Sequence, residues 1–179
     1  MEHPDRRRAA REDLALAGSE DMPVEIVAYD PAWPAAFAAE RERLAPLLAG
    51  AEIHHIGSTA VPGLGAKPII DMIALVDSYE APIGRLVAQA GYRYPRAYNA
   101  TLSGRRFLCY PTPLLRTHHM HLVEDPARLA GYLAFRDRLR GDDALARDYE
   151  VLKRELAARH HHDREGYTEA KSEFIQRQA

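Results

Sequence analysis

Hydrophobic and polar positions along the chain predict strands in its earlier part and helices in its later part. Residues 69–76 form a near-continuous apolar run that only Asp71 interrupts, a pattern typical of a central strand covered on both faces. Residues 24–28 place apolar side chains at alternate positions, which predicts a short strand. The remaining strands are predicted at 51–56, 92–94, 105–110 and 117–124.

Helix signals fill several of the segments between these strands. Asp30 and Pro31 predict a helix start, because Asp caps helices and Pro fits the first helical position. Apolar residues then recur on one helical face, and Pro46 should kink or end this helix. The Asp77-Ser78 pair predicts the cap of a second helix, which a glycine closes at its C-terminal end.

The order of these elements predicts the fold class. From Ala127 onward, successive stripes of apolar residues predict an all-helical C-terminal part. Strands with an early crossover helix, followed by helices, indicate an α+β fold with a mixed β-sheet and flanking helices. Residues 1–22 are mixed in charge and aperiodic, so a flexible tail is predicted there and a single domain over 23–179.

Composition narrows the functional classes. With a formal net charge of −2, the chain lacks the basic excess of a protein that coats nucleic acid, so no broad nucleic-acid surface is expected. Cys109 is the only cysteine, which excludes an intrachain disulfide and a cysteine-based zinc site. No stretch approaches the roughly 20 apolar residues of a membrane span. We therefore expect a cytoplasmic protein without a membrane partner.

The candidate site runs from Gly57 to Asp71. Glycine lets the backbone come close to a ligand, and the N–H and hydroxyl of Ser58 can both donate to a phosphate oxygen. Asp71 lies in an apolar strand, where an isolated carboxylate is costly unless it meets a cation or hydrogen-bond donors. It either caps a turn or pairs with Lys67 or an arginine, or it has a catalytic or metal-binding role.

A loop that donates hydrogen bonds to phosphate, followed by an acid on the next strand, is typical of the nucleotidyltransferase fold shared with DNA polymerase β. The string HIGSTAVPGL at 55–64, continued by AKPIID at 66–71, closely resembles the signature of the GrpB family, an uncharacterised, nucleotidyltransferase-like group. The likeness extends to YDPAWP at 29–34, HMHLV at 119–123 and YTEAKS at 167–172.

The resemblance implies a nucleotidyltransferase-like fold and a division of roles within the loop and strand. Gly57, Ser58 and Thr59 would bind the phosphates of a nucleotide, and Asp71 would hold a divalent metal ion (Mg, Mn or Zn). In that fold the metal aligns and neutralises the phosphate while a hydroxyl attacks in line. Some GrpB proteins are fused to dephospho-CoA kinase, which implies a link to coenzyme A metabolism.

One position departs from the wider superfamily. Active nucleotidyltransferases usually carry Asp-x-Asp or Asp-x-Glu, and Ile73 occupies the second acid position here. One carboxylate cannot hold two magnesium ions. Either other residues complete the site, or the site binds a nucleotide without turning it over.

His119 and His121 are the candidates to complete the site, because alternate residues of a strand project from the same face. Two histidines and one carboxylate resemble a transition-metal or Mn²⁺ site more than a Mg²⁺ site. The two imidazoles could equally bind phosphate directly. A further candidate phosphate contact is His55, which lies beside the loop. The ammonium groups of Lys67 and Lys171 are two more, and the alternative for these two is an ordinary surface lysine.

Three functions agree with these residues. The first is an enzyme that transfers a nucleotidyl group from a nucleoside triphosphate to an unidentified acceptor. Asp71 and His121 would be its catalytic residues, and Asp71, His119 and His121 would bind the metal. The second is a catalytically degenerate module that binds a nucleotide, a CoA-type metabolite or another phosphate-bearing small molecule. The third is a metal-dependent hydrolase built on His and Asp.

Overall fold

The computed structural model describes residues 23–178, except for the side chains at 165, 173, 176 and 178. The flexible tail predicted at 1–22 lies outside these residues. The strands are β1 (Ile53–Ile56), β2 (Ile70–Leu75), β3 (Arg106–Pro111) and β4 (Arg116–Val123). The helices are α1 (Trp33–Leu44), α2 (Glu80–Ala90), α3 (Arg96–Ala100), α4 (Pro126–Gly141), α5 (Asp143–Arg159) and α6 (Arg164–Gln178), with short 3₁₀ turns at Ala45–Leu48 and Ser58–Ala60.

These strands form one mixed sheet in the order β1-β2-β4-β3. β2 pairs with β1 in antiparallel and with β4 in parallel orientation, and β3 completes the sheet antiparallel to β4. β2 is therefore a central strand, as its apolar run predicts. The parallel register sets Asp71 opposite His119 and Ile73 opposite His121. Alternation along a strand then brings the acid and both histidines to the same face of the sheet.

The other face of the sheet carries the largest apolar core. Ile70, Met72 and Ala74 of β2 face this side and pack with Trp33 of α1 and Leu86 of α2. Each large side chain buried in this way contributes about 1.5–3 kcal/mol. The core therefore holds β2 firmly, and with it the acid that β2 presents on its opposite face.

The face that carries Asp71 is covered by the C-terminal helices. Ile73 and Val123 are fully buried there and pack against Leu129 and Leu133 of α4. A neighbouring apolar cluster joins the loop after β1 to residues of α4, α5 and α6, with Tyr149 at its centre. The predicted α+β fold, with a mixed sheet, flanking helices and an all-helical C-terminal part, is confirmed.

The N-terminal elements differ in detail from their prediction. The strand expected at 24–28 is a single bridge between Val27 and Ala66, because this segment pairs with the loop and not with a strand edge. α1 begins at Trp33 and not at Pro31, since the Asp30 side chain accepts from the Ala32 N–H at 2.8 Å and so closes a turn before the helix. The helix gives way to a 3₁₀ turn that contains proline, as predicted.

Two further predictions need correction. α2 begins at Glu80, two residues after the predicted Asp77-Ser78 cap, and the Tyr79 N–H is held instead by Glu124 Oε1 at 3.2 Å. The strand predicted at 92–94 reduces to one bridge between Arg93 and Cys109. The short helix α3 follows it and was not predicted from the sequence. None of the helices within 23–178 is long and apolar enough to cross a membrane.

Candidate functional site

Asp71, His119 and His121 form the centre of the site. His119 donates its Nδ1–H to Asp71 Oδ1 at 2.8 Å, and His121 Nε2 lies 3.9 Å from the same oxygen. The carboxylate side chain is 30% exposed, while the two imidazoles are 12% and 10% exposed, so the acid is the more accessible partner. The predicted grouping of these three residues is confirmed, and their roles toward a ligand remain predictions.

Charge is distributed unevenly over this group. Burial would raise the pKa of Asp71, but hydrogen bonds from His119 and His121 outweigh it and hold this pKa well below its usual range. Burial lowers the pKa of His119 to about 4, although the hydrogen bond to Asp71 opposes the shift. Burial also lowers the pKa of His121. At neutral pH the site therefore presents an ionised carboxylate beside two neutral imidazoles.

The second nitrogen of each histidine has a different environment. His121 Nδ1 lies 3.4 Å from Arg105 Nη1, and the same nitrogen of Arg105 donates to the Tyr132 hydroxyl at 3.1 Å. His119 Nε2 is buried, and no group in the described part of the chain hydrogen-bonds to it. Sequence reasoning missed Arg105 and Tyr132, because neither lies in a motif and their approach depends on how α4 packs on the sheet.

The loop after β1 lies directly against the acid. Gly57 adopts a φ of 70°, and a Cβ at this position would stand 2.7 Å from Asp71 Oδ2. Ser58 follows, and its side chain lies near the Tyr149 hydroxyl of α5, whose pKa it lowers. Burial and the charge of Asp71 both raise the pKa of the Tyr149 hydroxyl. Gly57 and Asp71 are thus in close contact, and Ser58 follows Gly57 directly in the chain.

Thr59 and His55 lie apart from this contact. His55 pairs with Met72 in the antiparallel register, so its side chain is on the opposite face of the sheet from Asp71, where it stacks on Phe37 at a ring distance of 4.6 Å. His55 Nε2 bonds to the Thr59 hydroxyl at 3.0 Å, and that hydroxyl donates to the Ile69 carbonyl at 3.1 Å. Both side chains hold the loop in place in this structure, and their predicted phosphate contacts remain untested.

Two lysines, one from the loop and one from α6, lie at the same aromatic ring near the site. The ammonium groups of Lys67 and Lys171 lie 4.9 and 4.3 Å from the centre of the Tyr167 ring. Burial, and then the charge of Lys171, lowers the pKa of Lys67 to about 7, and burial lowers that of Lys171 to about 8. Both ammonium groups are within reach of the charge of Asp71. From the sequence, only the contact between Lys171 and Tyr167 could be expected, because the two residues are four positions apart on one helix.

Helix α5 fixes the far end of the loop. The Gly65 N–H donates to Glu150 Oε2 at 2.9 Å, and the buried ammonium of Lys153 donates to the Gly65 carbonyl. Arg140 of α4 donates to the Ala60 carbonyl at 2.9 Å. These side chains satisfy backbone groups that the irregular loop cannot pair by itself. The C-terminal helices therefore shape the loop as well as covering it.

The three central side chains suit a transition-metal ion. Each offers one ligand atom, and these atoms lie within 4.8 Å of one another. Two ligand atoms bound to one ion at about 2.1 Å stand at most about 4.2 Å apart, so small movements would bring them into place. Two imidazoles and one carboxylate favour zinc, manganese or iron over magnesium.

Ile73 occupies an apolar environment. It is 0% exposed and packs with Ile56, Val123 and residues of α4. Helix α4 therefore covers the side chain of Ile73. Across the parallel pair, the register partner of Ile73 is His121.

Comparison with known proteins identifies the family. This architecture, with a Gly-Ser loop against a strand-borne acid, is consistent with a nucleotidyltransferase-like fold. The GrpB protein family matches residues 23–179, and the chain belongs to this family.

Individual relatives agree with this assignment. The chain is 43% identical over 169 residues to a UPF0157 protein of Pseudomonas aeruginosa, covering 90% of this chain and 68% of the relative. It is 42% identical over 159 residues to the UPF0157 protein YqkA of Bacillus subtilis, covering 85% of this chain but only 45% of the relative. The crystal structure of the conserved protein GrpB from Enterococcus faecalis superposes with a TM-score of 0.74 at 36% identity, covering 86% of this chain and 93% of that one.

A more distant match bears on coenzyme A. The chain is 28% identical over 184 aligned residues to a dephospho-CoA kinase of Mycolicibacterium paratuberculosis. The alignment covers 86% of this chain and 44% of the kinase chain. A domain similar to this one therefore occurs within a longer chain that carries that name.

Proposed function

We propose that this protein binds the phosphates of a nucleotide, or of a CoA-type metabolite, and transfers a nucleotidyl group with the help of a divalent metal ion. Gly57 and Ser58 would contact the phosphates, and Lys67 and Lys171 would neutralise them. Asp71 and the two histidines are the candidate metal ligands. The family resemblance supports the nucleotidyltransferase class, and the dephospho-CoA kinase match supports testing CoA derivatives.

The pair of half-buried ammonium groups at Tyr167 carries this proposal. Within residues 23–178, no carboxylate side chain that the structure describes lies within 4 Å of Lys67 or Lys171. Burying two neighbouring cations is costly, and their lowered pKa values reflect that cost. A phosphate group between them and the loop would remove the repulsion and accept hydrogen bonds from both. This is a reason for the site to select anionic ligands.

The chemistry expected at such a site is an in-line transfer. The acceptor hydroxyl would attack the α-phosphorus of a nucleoside triphosphate and lose its proton to water, the new P–O bond would form, and pyrophosphate would leave as the old bond breaks. A bound metal ion would supply charge neutralisation at the phosphate oxygens. Asp71 would stay ionised throughout because its pKa is held low. His121 and His119 would be neutral and able to donate or accept a hydrogen bond.

A second candidate function is binding without turnover. Its support is Ile73, which is buried among apolar side chains where active relatives of the wider superfamily carry an acid. Losing that acid should reduce turnover far more than ground-state binding, because the phosphate contacts are made by other residues.

Thermal unfolding with phosphate-bearing ligands tests both functions. A ligand at 100 times its Kd should add about 2.7 kcal/mol to the stability of the folded state. We expect pyrophosphate, a nucleoside triphosphate or coenzyme A to stabilise the wild type. Lys171→Met should bind the same ligand at least tenfold more weakly and so be stabilised less. Arg41→Met, which removes a cation from α1 near Phe37, is the matched control and should change nothing.

Pyrophosphate release then separates the enzyme from the binding module. If transfer occurs, Asp71→Asn should abolish it while binding stays within about tenfold, since the acid acts in the metal-assisted step. Binding without release in the wild type would support the second function. Failure of every phosphate-bearing ligand to stabilise the wild type would contradict both.

A further inference from the structure

The guanidinium of Arg105 is half-buried beside the site and has no carboxylate partner. Its Nη1 lies 3.4 Å from His121 Nδ1 and donates to the Tyr132 hydroxyl at 3.1 Å. In the described part of the chain, no carboxylate side chain lies within 4 Å of this guanidinium, and its Nε and Nη2 groups form no hydrogen bond. Arg136 of α4, in contrast, is also half-buried but pairs with Asp137 at 2.8 Å. Arg105 therefore keeps an unneutralised charge and unused N–H groups.

The Tyr132 hydroxyl supplies another donor at the same place. A guanidinium only donates hydrogen bonds, so this hydroxyl accepts from Arg105, and its own proton is not used in that contact. The hydroxyl forms no second hydrogen bond among the residues that the structure describes. A phosphate or carboxylate group accepts from both kinds of donor, and a planar guanidinium matches its oxygens with two parallel N–H groups. These two side chains therefore suit an oxyanion.

The carboxylate of Asp71 lies between this pair and the two lysines. Lys67 precedes the first residue of β2 by three positions. His121, which contacts Arg105, is instead the register partner of Ile73, two residues beyond Asp71 along β2. Two residues of a strand span about 6.6 Å, and the His121 imidazole stands between the guanidinium and the acid. Asp71 is therefore not an ion-pair partner of Arg105, and the site has cations on two sides of one acid.

The placement of these cations fits the geometry of an in-line transfer. In such a reaction the attacking and leaving oxygens stand on opposite sides of the phosphorus. In the proposed function Lys67 and Lys171 neutralise the phosphates of the donor, so pyrophosphate would leave on their side. The acceptor would then approach from the side of Arg105.

We propose that Arg105 and Tyr132 bind an oxyanion group of the acceptor, either a phosphate monoester or a carboxylate. The acceptor is then a small hydroxyl compound that is itself anionic, because a neutral alcohol would leave the guanidinium without a partner. This acceptor role rests on the proposed function, whereas the oxyanion site rests on the contacts of the two side chains alone. The site is separate from the lysines, so the two can be tested independently.

Two phosphorus probes test the oxyanion site. Pyrophosphate and inorganic phosphate give separate ³¹P NMR signals, so the binding of both can be followed in one sample. Wild-type protein saturated with pyrophosphate, which occupies the lysine side, should bind one further phosphate ion. Arg105→Met should bind this phosphate at least about tenfold more weakly, because its charged donors are lost, and bind pyrophosphate within about threefold of the wild type. Lys171→Met should weaken pyrophosphate binding and leave phosphate binding at Arg105 within the same threefold.

Arg116→Met controls for the loss of a positive charge. Arg116 acts on His119 through its charge but donates its hydrogen bond to the Pro113 carbonyl. Because such a charge effect is screened by salt, we expect phosphate affinity within about twofold of the wild type. Equal weakening in Arg116→Met and Arg105→Met would overturn the proposal.

Tyr132→Phe is a second variant that keeps the aromatic ring and removes only the hydroxyl. It should bind phosphate about fivefold more weakly, because one hydrogen bond is lost. This variant keeps the proposal testable if Arg105→Met does not fold. Methyl phosphate and acetate then distinguish the two acceptor classes. Displacement of the bound phosphate by methyl phosphate supports a phosphate monoester, and displacement by acetate alone supports a carboxylate.

The remaining outcomes separate this inference from the proposed function. Absence of a second phosphate in the wild type, or equal phosphate binding by the wild type, Arg105→Met and Tyr132→Phe, would overturn the oxyanion site and leave the proposed function intact. If pyrophosphate fails to bind the wild type, the proposed function fails. Phosphate binding that Arg105→Met loses would in that case still support the oxyanion site.

Discussion

Gly57 lies against Asp71 so closely that a side chain at residue 57 would meet the carboxylate. A Cβ there would stand 2.7 Å from Asp71 Oδ2 and 3.1 Å from Asp71 Cβ. The backbone of the loop can therefore touch the acid only because residue 57 is glycine, and its φ of 70° adds a second reason. This contact joins the Gly-Ser loop and the strand-borne acid into one site.

Gly57→Ala should destabilise the protein and displace the acid. A non-glycine residue in this backbone conformation costs about 1–3 kcal/mol, and the contact with β2 adds to it. Urea denaturation measures the loss, with Gly84→Ala as the control. Gly84 lies in α2 with no described heavy atom within 4 Å of an added Cβ, so alanine should stabilise that helix by about 0.5–1 kcal/mol. Equal stability of Gly57→Ala and wild type would mean that the contact with Asp71 is not tight.

Strand alternation explains why the centre of the site could be predicted. Asp71 interrupts an apolar run, and His119 and His121 share one parity, so pairing of their strands was enough to bring them together. Parity alone does not say which face of β1 turns toward Asp71. His55 was expected at the phosphates because it adjoins the loop, whereas the register with Met72 places its side chain on the opposite face of the sheet from Asp71.

Contacts between distant segments explain what could not be predicted. Arg105 is one of many arginines, and its contact with His121 depends on a loop before β3 and on Tyr132 of α4. The Lys153 contact with the Gly65 carbonyl spans 88 residues. No local periodicity encodes such pairings, whereas the α+β fold class follows from local patterns alone.

Asp71→Asn should weaken divalent metal binding by about 10- to 100-fold. We expect the wild type to bind Mn²⁺ or Zn²⁺ more tightly than Mg²⁺, because nitrogen ligands favour these ions. Calorimetry on both proteins measures the difference. Glu124→Gln is the control, since this carboxylate holds the Tyr79 N–H and is absent from the metal-binding group. Negligible binding of every divalent ion by the wild type would leave a site that binds phosphate alone.

Stability should fall as the pH is lowered from about 6.5 to 4. Burial lowers the pKa of His55 from its ordinary 6.5 to about 4, so in this window the unfolded chain binds a proton that the folded chain excludes. The free energy of unfolding therefore rises with pH there, by up to about 1.4 kcal/mol per pH unit for each such group. His55→Gln should remove one such contribution from the slope measured by urea denaturation at several pH values. An unchanged slope would show that His55 titrates normally in the folded protein.

Ile73→Asp should not create a second metal-binding acid beside Asp71. The side chain at residue 73 is fully enclosed by Ile56, Val123 and α4, so a carboxylate there would lose its hydration without gaining a cation. Such burial costs several kcal/mol, and the group would take up a proton in preference to binding a metal. We expect a loss of at least about 3 kcal/mol in urea denaturation, against about 0.5–1.5 kcal/mol for Ile73→Val, which keeps the apolar contact. A stable Ile73→Asp protein that binds Mg²⁺ more tightly than the wild type would show that α4 can move away from the sheet. In that case the missing acid, and not the covering helix, would be what limits Mg²⁺ binding at this site.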